Sequence, residues 1–219
     1  MRINHWKTGI PTLTEMEDAW IERFSAGYYD KFKHAEVGIA GLGGLGSNIA
    51  VMLARTGIGH LHLVDFDQVD ITNLNRQAYR MLQLGRYKTE ALKEILEEIN
   101  PYLKITTDTN YVTEENAIQL FGTYPIVCEA FDKAENKAML VNSLLEHCPE
   151  MKIISGSGMA GYGSSNIIKT RKLMKNLYLC GDGVTDILDV RAVTSPRVSI
   201  CAGHQANMII RLILGMDTE

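Results

Sequence analysis

The run Gly41-Leu-Gly-Gly-Leu-Gly46 places glycines in the G-x-G-x-x-G spacing between an apolar stretch and an amphipathic one. Glycine at such positions permits a tight turn and lets backbone N–H groups and a helix N-terminus come close to a phosphate. Gly41, Gly43, Gly44 and Gly46 are therefore candidate nucleotide contacts. Asp65 follows 24 residues after Gly41, at the end of the next apolar run, where an acidic side chain can accept hydrogen bonds from a ribose. A bound adenine nucleotide is expected. Up to this point an NAD-binding or flavin dehydrogenase predicts the same residues.

The segment Asp65-Phe-Asp-Gln-Val-Asp-Ile-Thr-Asn-Leu-Asn-Arg-Gln77 separates these readings. It resembles the D-x-D-x-V-x-x-x-N-L-x-R-Q motif of the E1-like activating-enzyme superfamily, matched here by Asp65, Asp67, Val69, Asn73, Leu74, Arg76 and Gln77. The likeness continues at Gly85-Arg-Tyr-Lys88, Glu129-Ala-Phe-Asp132 and Ser157-Gly-Met-Ala-Gly-Tyr-Gly163, covering roughly Val37 to Gly215. The short length, the stretch from Asn48 to Gly59 and the glycine-rich region around Met159 look most like the short ThiF-type branch. That resemblance implies ATP-dependent adenylation of the C-terminal glycine carboxylate of a small ubiquitin-like sulfur carrier ending in Gly-Gly. A ThiS-like carrier of thiamine biosynthesis is favoured, and a molybdopterin-type or other carrier is the alternative. It also implies a homodimer.

Adenylation brings a carboxylate against the α-phosphate of ATP while pyrophosphate departs, so the site must hold positive charge in a preorganised place. Arg76 and Lys88 are the suppliers that this chemistry and the motif both indicate. Asp132 closes a buried apolar run, where ligand-facing residues sit in an open α/β sheet, and the resemblance assigns it Mg²⁺. Asp65 would bind the ribose, Asp67 and Gln77 belong to the same nucleotide segment, and Thr72, Asn73 and Asn75 would line the phosphates. No side-chain base is required, because a C-terminal carboxylate is already ionised at neutral pH. Cys180 is the candidate for a covalent thiol, although no histidine adjoins it to lower its pKa. A dehydrogenase has no use for Arg76, Gln77 and Lys88, and a non-catalytic E1-like scaffold has no reason to keep Arg76, Lys88 and Asp132 together.

The elements that must carry these residues follow from periodicity. Short apolar runs alternating with amphipathic segments indicate a Rossmann-like, mostly parallel sheet with helices on both faces. Strands are expected at Val37 to Ala40, Leu61 to Val64, Leu103 to Thr107, Ile126 to Ala130, Lys152 to Ser155 (closing the parallel series) and Ser165 to Thr170. Helices are expected at Asn48 to Thr56, Lys88 to Ile99, Glu114 to Phe121 capped by Thr113, Glu135 to His147, and from Pro196 to a stop at Gly215. Residues 1–34 form a helical lead-in, with a helix from Glu15 to Phe24 started by Thr14 and broken at Gly27-Tyr28-Tyr29. Residues 35–219 form the E1-like adenylation domain, the whole being one structural domain. The stretch from Lys172 to Thr194 shows no period and is expected to be a lid or crossing segment.

Bulk properties narrow the partners. With 22 basic and 26 acidic residues in 219, the net charge of -4 gives no electrostatic case for nucleic acid. No apolar run near the N-terminus suits a signal peptide, and the apolar stretch Ile200 to Leu214 is broken by His204, Gln205, Asn207 and Arg211, short of a membrane span of about 20 residues. The four cysteines stand 20 or more residues apart without a Cys-x-x-Cys pair, so zinc is not expected and a reduced, cytoplasmic protein is. His204 and Gln205 are read as a polar pair closing a helix contact. The apolar segment from Met208 to Leu214 is read as buried or at a subunit interface.

Overall fold

The computed structural model describes residues 9–185, 190 and 192–218. Among them a seven-stranded sheet runs β3-β2-β1-β4-β5-β7-β6. Its strands are β1 (Glu36–Ala40), β2 (His60–Val64), β3 (Lys104–Asp108), β4 (Ile126–Glu129), β5 (Lys152–Gly156), β6 (Lys169–Lys172) and β7 (Leu177–Gly181). All neighbours are parallel except β6, which runs antiparallel to β7 at the edge. The described α-helices are α1 (Leu13–Phe24), α2 (Ala26–Lys33), α3 (Gly44–Thr56), α4 (Lys88–Ile99), α5 (Glu114–Phe121), α6 (Ala134–His147) and α7 (Ser195–Ile213).

Strands covered on both sides carry apolar residues at successive positions rather than alternate ones. In β1, Val37 and Ile39 join the cluster built with α3, α4 and α7, while Ala40 belongs to the cluster under α5 and α6. In β4, Cys128 and Val127 divide the same way. Chain order reverses between β1 and β4, which opens a crevice beyond their carboxyl ends. There Gly41 N–H donates to Val64 O at 2.9 Å and Ala130 N–H to Ala40 O at 2.8 Å.

Several boundaries differ from expectation for identifiable reasons. α1 is capped by Thr12, not Thr14, because Thr12 and Glu15 satisfy each other's backbone N–H groups as a capping box. The break falls at Ser25, whose φ is +75°, and Gly27-Tyr28-Tyr29 lies inside α2, with Tyr29 buried and Phe32 in the main core. α3 begins at Gly44, four residues before the expected Asn48, so the helix starts within the glycine run.

β5 does not close the parallel series. β7 pairs parallel to it inside the stretch read as a lid or crossing segment, and its run Leu177-Tyr-Leu-Cys shows no clear period because both faces are covered. Residues 165–167 form a 3-10 turn, and the strand expected there starts at Lys169. Residues 186–189 and 191 of the expected lid, and residues 1–8 of the lead-in, lie outside the described residues.

α7 has Pro196 in its first turn and Gly215 at φ +83° just beyond its end. Met208 and Ile209 are buried in the chain's own core. His204 Nδ1 meets Thr170 Oγ1 at 3.1 Å, and Gln205 Nε2 donates to Glu129 O at 3.2 Å, so both close contacts to the sheet. No described helix is long and apolar enough to cross a membrane.

Candidate active site

A cavity of about 670 Å³ occupies the crevice at the carboxyl ends of β1 and β4. Gly41, Gly43, Gly44, Asp65, Asp67, Asn73, Arg76, Gln77, Lys88 and Asp132 all border it. The chain thus brings together residues that lie as many as 91 positions apart in sequence.

Gly41 turns with φ +87°, and a Cβ there would sit 2.9 Å from the Phe131 ring and 3.0 Å from Ala130 O. The first N–H groups of α3 lack helical partners, and no side chain caps them, which leaves donors and the positive helix end beside the cavity. Gly46 does not border the cavity: a Cβ there would lie 1.9 Å from Gly41 O, so its glycine is required for packing inside the turn.

Asp65 is buried and accepts from Leu42 N–H at 2.6 Å through Oδ2 and from Asp67 N–H at 2.8 Å through Oδ1. Burial raises its pKa, against the opposing pull of the Lys88 charge and the two backbone donors. Lys88, also buried, opens α4 and places Nζ 2.7 Å from Asp67 Oδ2 and 4.0 Å from Asp65 Oδ2. Beside them Phe66 and Tyr111 meet edge to face at 4.9 Å, an aromatic surface that sequence reading had not singled out.

Arg76 is held differently. Nη1 donates to Thr72 O at 3.1 Å and to Asn75 Oδ1 at 3.0 Å, and Nη2 donates to Asn73 Oδ1 at 3.3 Å. Among the described residues it has no carboxylate partner. The guanidinium is aimed by neutral groups and keeps its charge uncompensated at the cavity wall. Gln77 borders the cavity, and its side-chain Oε1 is buried without a hydrogen-bond partner among the described residues.

Thr72 and Asn75 do not border the cavity. Thr72 donates from N–H and Oγ1 to Asp70 Oδ1, which holds the Asp70 carboxyl below its usual range, and Asp70 caps the short turn Ile71–Asn73. Asn75 Nδ2 reaches Val193 O at 3.1 Å. Asn73 alone of the three borders the cavity.

Asp132 is exposed at the cavity mouth, three residues past the end of β4. It is positioned by a residue the sequence did not flag for a role of its own. Glu129 is fully buried, and its Oε1 accepts from Phe131 N–H at 2.6 Å. Ser155 Oγ donates to Oε2 at 2.5 Å, and Lys137 Nζ lies 3.1 and 3.2 Å from the two oxygens. One carboxylate therefore ties β4, β5 and α6 around the turn that carries Asp132.

The glycine-rich residues 156–160 form the wall on the β5 side. Cys180 does not belong to the cavity. It is a fully buried strand residue of β7 rather than a loop thiol, with its Sγ 3.5 Å from Thr170 Oγ1, and burial pushes its pKa up to about 11. Such a thiol is held protonated and away from any acyl group at the site, which removes it as a nucleophile. The charged pair next to it in the fold, Asp182 and Arg197, was also missed; Arg197 stands in an otherwise weakly charged helix directly after Pro196, and that placement was the available signal.

The sequence profile of the ThiF family matches residues 17–219. The tRNA threonylcarbamoyladenosine dehydratase of Escherichia coli is 34% identical over 173 residues, covering 74% of this chain and 63% of the relative. The molybdopterin-synthase adenylyltransferase of Haemophilus influenzae is 35% identical over 141 residues, covering 63% of this chain and 56% of the relative. The chain therefore spans less than two thirds of the length of these relatives. Among solved structures, that of the E. coli dehydratase in complex with ATP superposes with a TM-score of 0.84 at 20% identity, covering 94% of this chain and 98% of the other, a likeness of fold.

Proposed function

The chain belongs to the ThiF family, and from that premise we propose that it adenylates a carboxylate with ATP, acting on the C-terminal glycine of a ThiS-like, ubiquitin-like sulfur carrier. The observation that carries the reading is the uncompensated guanidinium of Arg76 beside the open end of α3, in one cavity with Lys88 and Asp132. In the reaction a carboxylate oxygen bonds to the α-phosphorus, the bond from that phosphorus to the bridging oxygen breaks, and pyrophosphate leaves with the electron pair. Charge grows on the phosphate oxygens, and fixed donors there cost no reorganisation when it does.

Asp65 and the Phe66–Tyr111 surface would take the nucleoside end, and the α3 N-terminus with Arg76 and Lys88 would take the phosphates. Asp132 at the cavity mouth is the residue that would hold a Mg²⁺ ion here. Among the described residues there is no cluster of three or more His, Cys, Asp or Glu side chains to cage a metal, and magnesium commonly rests on one or two carboxylates plus substrate phosphates. Asp132 would supply that carboxylate, and the ion would neutralise the departing pyrophosphate. A homodimer, which the family resemblance implies, belongs to the same proposal.

The test is ATP–pyrophosphate exchange. Isotope exchange is expected only when a purified carrier ending in Gly-Gly is present, and carriers of the thiamine and molybdopterin types rank the alternatives. A carboxylate borne by tRNA is the second reading, favoured by the name that two relatives share and opposed by the acidic balance of the chain. Exchange stimulated by tRNA and by no carrier would select it.

A further inference from the structure

The cavity has two ends. Asp65, Phe66, Asn110 and Tyr111 lie on the β2 and β3 side of the glycine loop, and residues 156–160 with Thr185, Val193 and Val198 lie on the β5 and β7 side. With the nucleoside on the first side and the phosphates at the α3 N-terminus, the attacking carboxylate must arrive from the second. That wall has little regular structure of its own, since residues 157–164 belong to no strand or α-helix.

What holds it is a buried ion pair behind it. Arg197 and Asp182 are 4% and 9% exposed, and neither borders the cavity. Arg197 Nε donates to Ala160 O at 3.0 Å, Nη1 to Gly163 O at 2.6 Å and Ser164 O at 2.9 Å, and Nη2 to Asp182 Oδ2 at 2.5 Å. Asp182 Oδ1 accepts from Val184 N–H and Thr185 N–H, each at 2.9 Å, and Thr185 Oγ1 donates to Oδ2. The backbone completes the junction, with Asp182 N–H donating to Gly158 O at 2.9 Å and Gly183 N–H to Ser157 O at 3.1 Å. Gly158 has φ +78°, and a Cβ there would fall 2.1 Å from Asp182 Oδ1. The close approach of wall and clasp needs that glycine.

Resting on the adenylation reading, we propose that Arg197 and Asp182 are positioning residues: they clasp residues 157–160 and Thr185 into the wall that receives the carboxylate-bearing tail, while touching neither reactant. Burial tends to raise the Asp182 carboxyl, yet the hydrogen bonds from Thr185, Val184 and Arg197 keep it below its ordinary value, so the carboxylate stays ionised at neutral pH. The fork of Arg197 satisfies three carbonyls and a carboxylate at once, a geometry that a lysine ammonium cannot reproduce.

Two variants test this, R197K, which keeps the charge but loses the fork, and G158A, which leaves both charges and pushes the wall off Asp182. For each, three quantities are measured: the Kd for MgATP without carrier, the exchange rate with a carrier ending in Gly-Gly, and deuterium uptake by the amides of residues 157–164. The expected result is an ATP Kd equal to that of the unaltered protein, carrier-dependent exchange reduced about 10- to 100-fold, as misplacement by an ångström can do, and faster uptake confined to the wall and its junction. Exchange that survives loosening of the wall overturns the proposal, as does ATP binding that weakens in step with exchange. Should R197K fail to fold, G158A decides alone by the same criteria. Absence of exchange in the unaltered protein would refute the adenylation reading instead, and unchanged deuterium uptake in R197K would refute the clasp whatever the reaction.

Discussion

Arg76→Ala is expected to reduce carrier-dependent ATP–pyrophosphate exchange by about 10² to 10³, the loss typical when one fixed donor to developing charge is removed. The side chain is held by Thr72 O, Asn75 and Asn73 and by no carboxylate among the described residues, so its removal strands no buried charge. The fold should lose about 1–2 kcal/mol, since each hydrogen bond nets about 1 kcal/mol and two of the three are exposed to water. The combination is diagnostic. A charge kept for stability would show a large shift in the urea midpoint and a small kinetic effect, and here the order is reversed. Arg76→Lys should recover part of the rate, since a point charge can replace some of the field but not the forked geometry. Exchange unaffected by R76A would remove the residue from the chemistry.

Glu129→Ala is expected to have the largest effect on stability. The carboxylate is fully buried, and its loss leaves Phe131 N–H, Ser155 Oγ and the Lys137 ammonium without their shared acceptor. Breaking a buried pair from one side costs about 3–5 kcal/mol. The lower end applies, because the Lys137 side chain is 19% exposed and can turn toward water. Against a domain stability of about 5–15 kcal/mol that is a large fraction, read directly as a fall in the urea midpoint. Glu129→Gln preserves the volume and one acceptor and should cost less. Because Glu129 also fixes the turn leading to Asp132, the Gln variant should lose exchange even where it remains folded. A Gln variant with full exchange would detach Glu129 from the site.

Much of this arrangement could be read along the chain, and the misses share a cause. α4 and α5 have the bounds expected because a helical stripe, a proline after Ile99 and Thr113 before Glu114 are all local signals. β7 escaped because a strand buried on both faces has no alternation to detect. In the site, the motif pointed to Asp65, Arg76, Lys88 and Asp132, and the sheet order brings all four to one crevice, Asp65 and Asp132 just beyond β2 and β4, Lys88 at the start of α4 and Arg76 in the turn after residues 71–73. It does not bring Thr72, Asn75 or Gly46 to the cavity: Thr72 and Gly46 meet residues of their own turns, and Asn75 meets Arg76 and Val193 O. Glu129 with Ser155, and Asp182 with Arg197, were invisible as pairs because their contacts form only when separate strands and a helix are brought together. Cys180 illustrates the reverse error, a reactive residue type made inert by burial.

The central claim is that a carboxylate oxygen attacks the α-phosphorus of ATP in the cavity bounded by the glycine loop, Arg76, Lys88 and Asp132. Its most direct test is the fate of heavy oxygen placed in the C-terminal carboxylate of a carrier ending in Gly-Gly. After reaction with MgATP and breakdown of the acyl-adenylate by a thiol, the account predicts that the released AMP carries a labelled oxygen on its phosphate and the pyrophosphate carries none. Label appearing in inorganic phosphate, or AMP formed without any label, would contradict it.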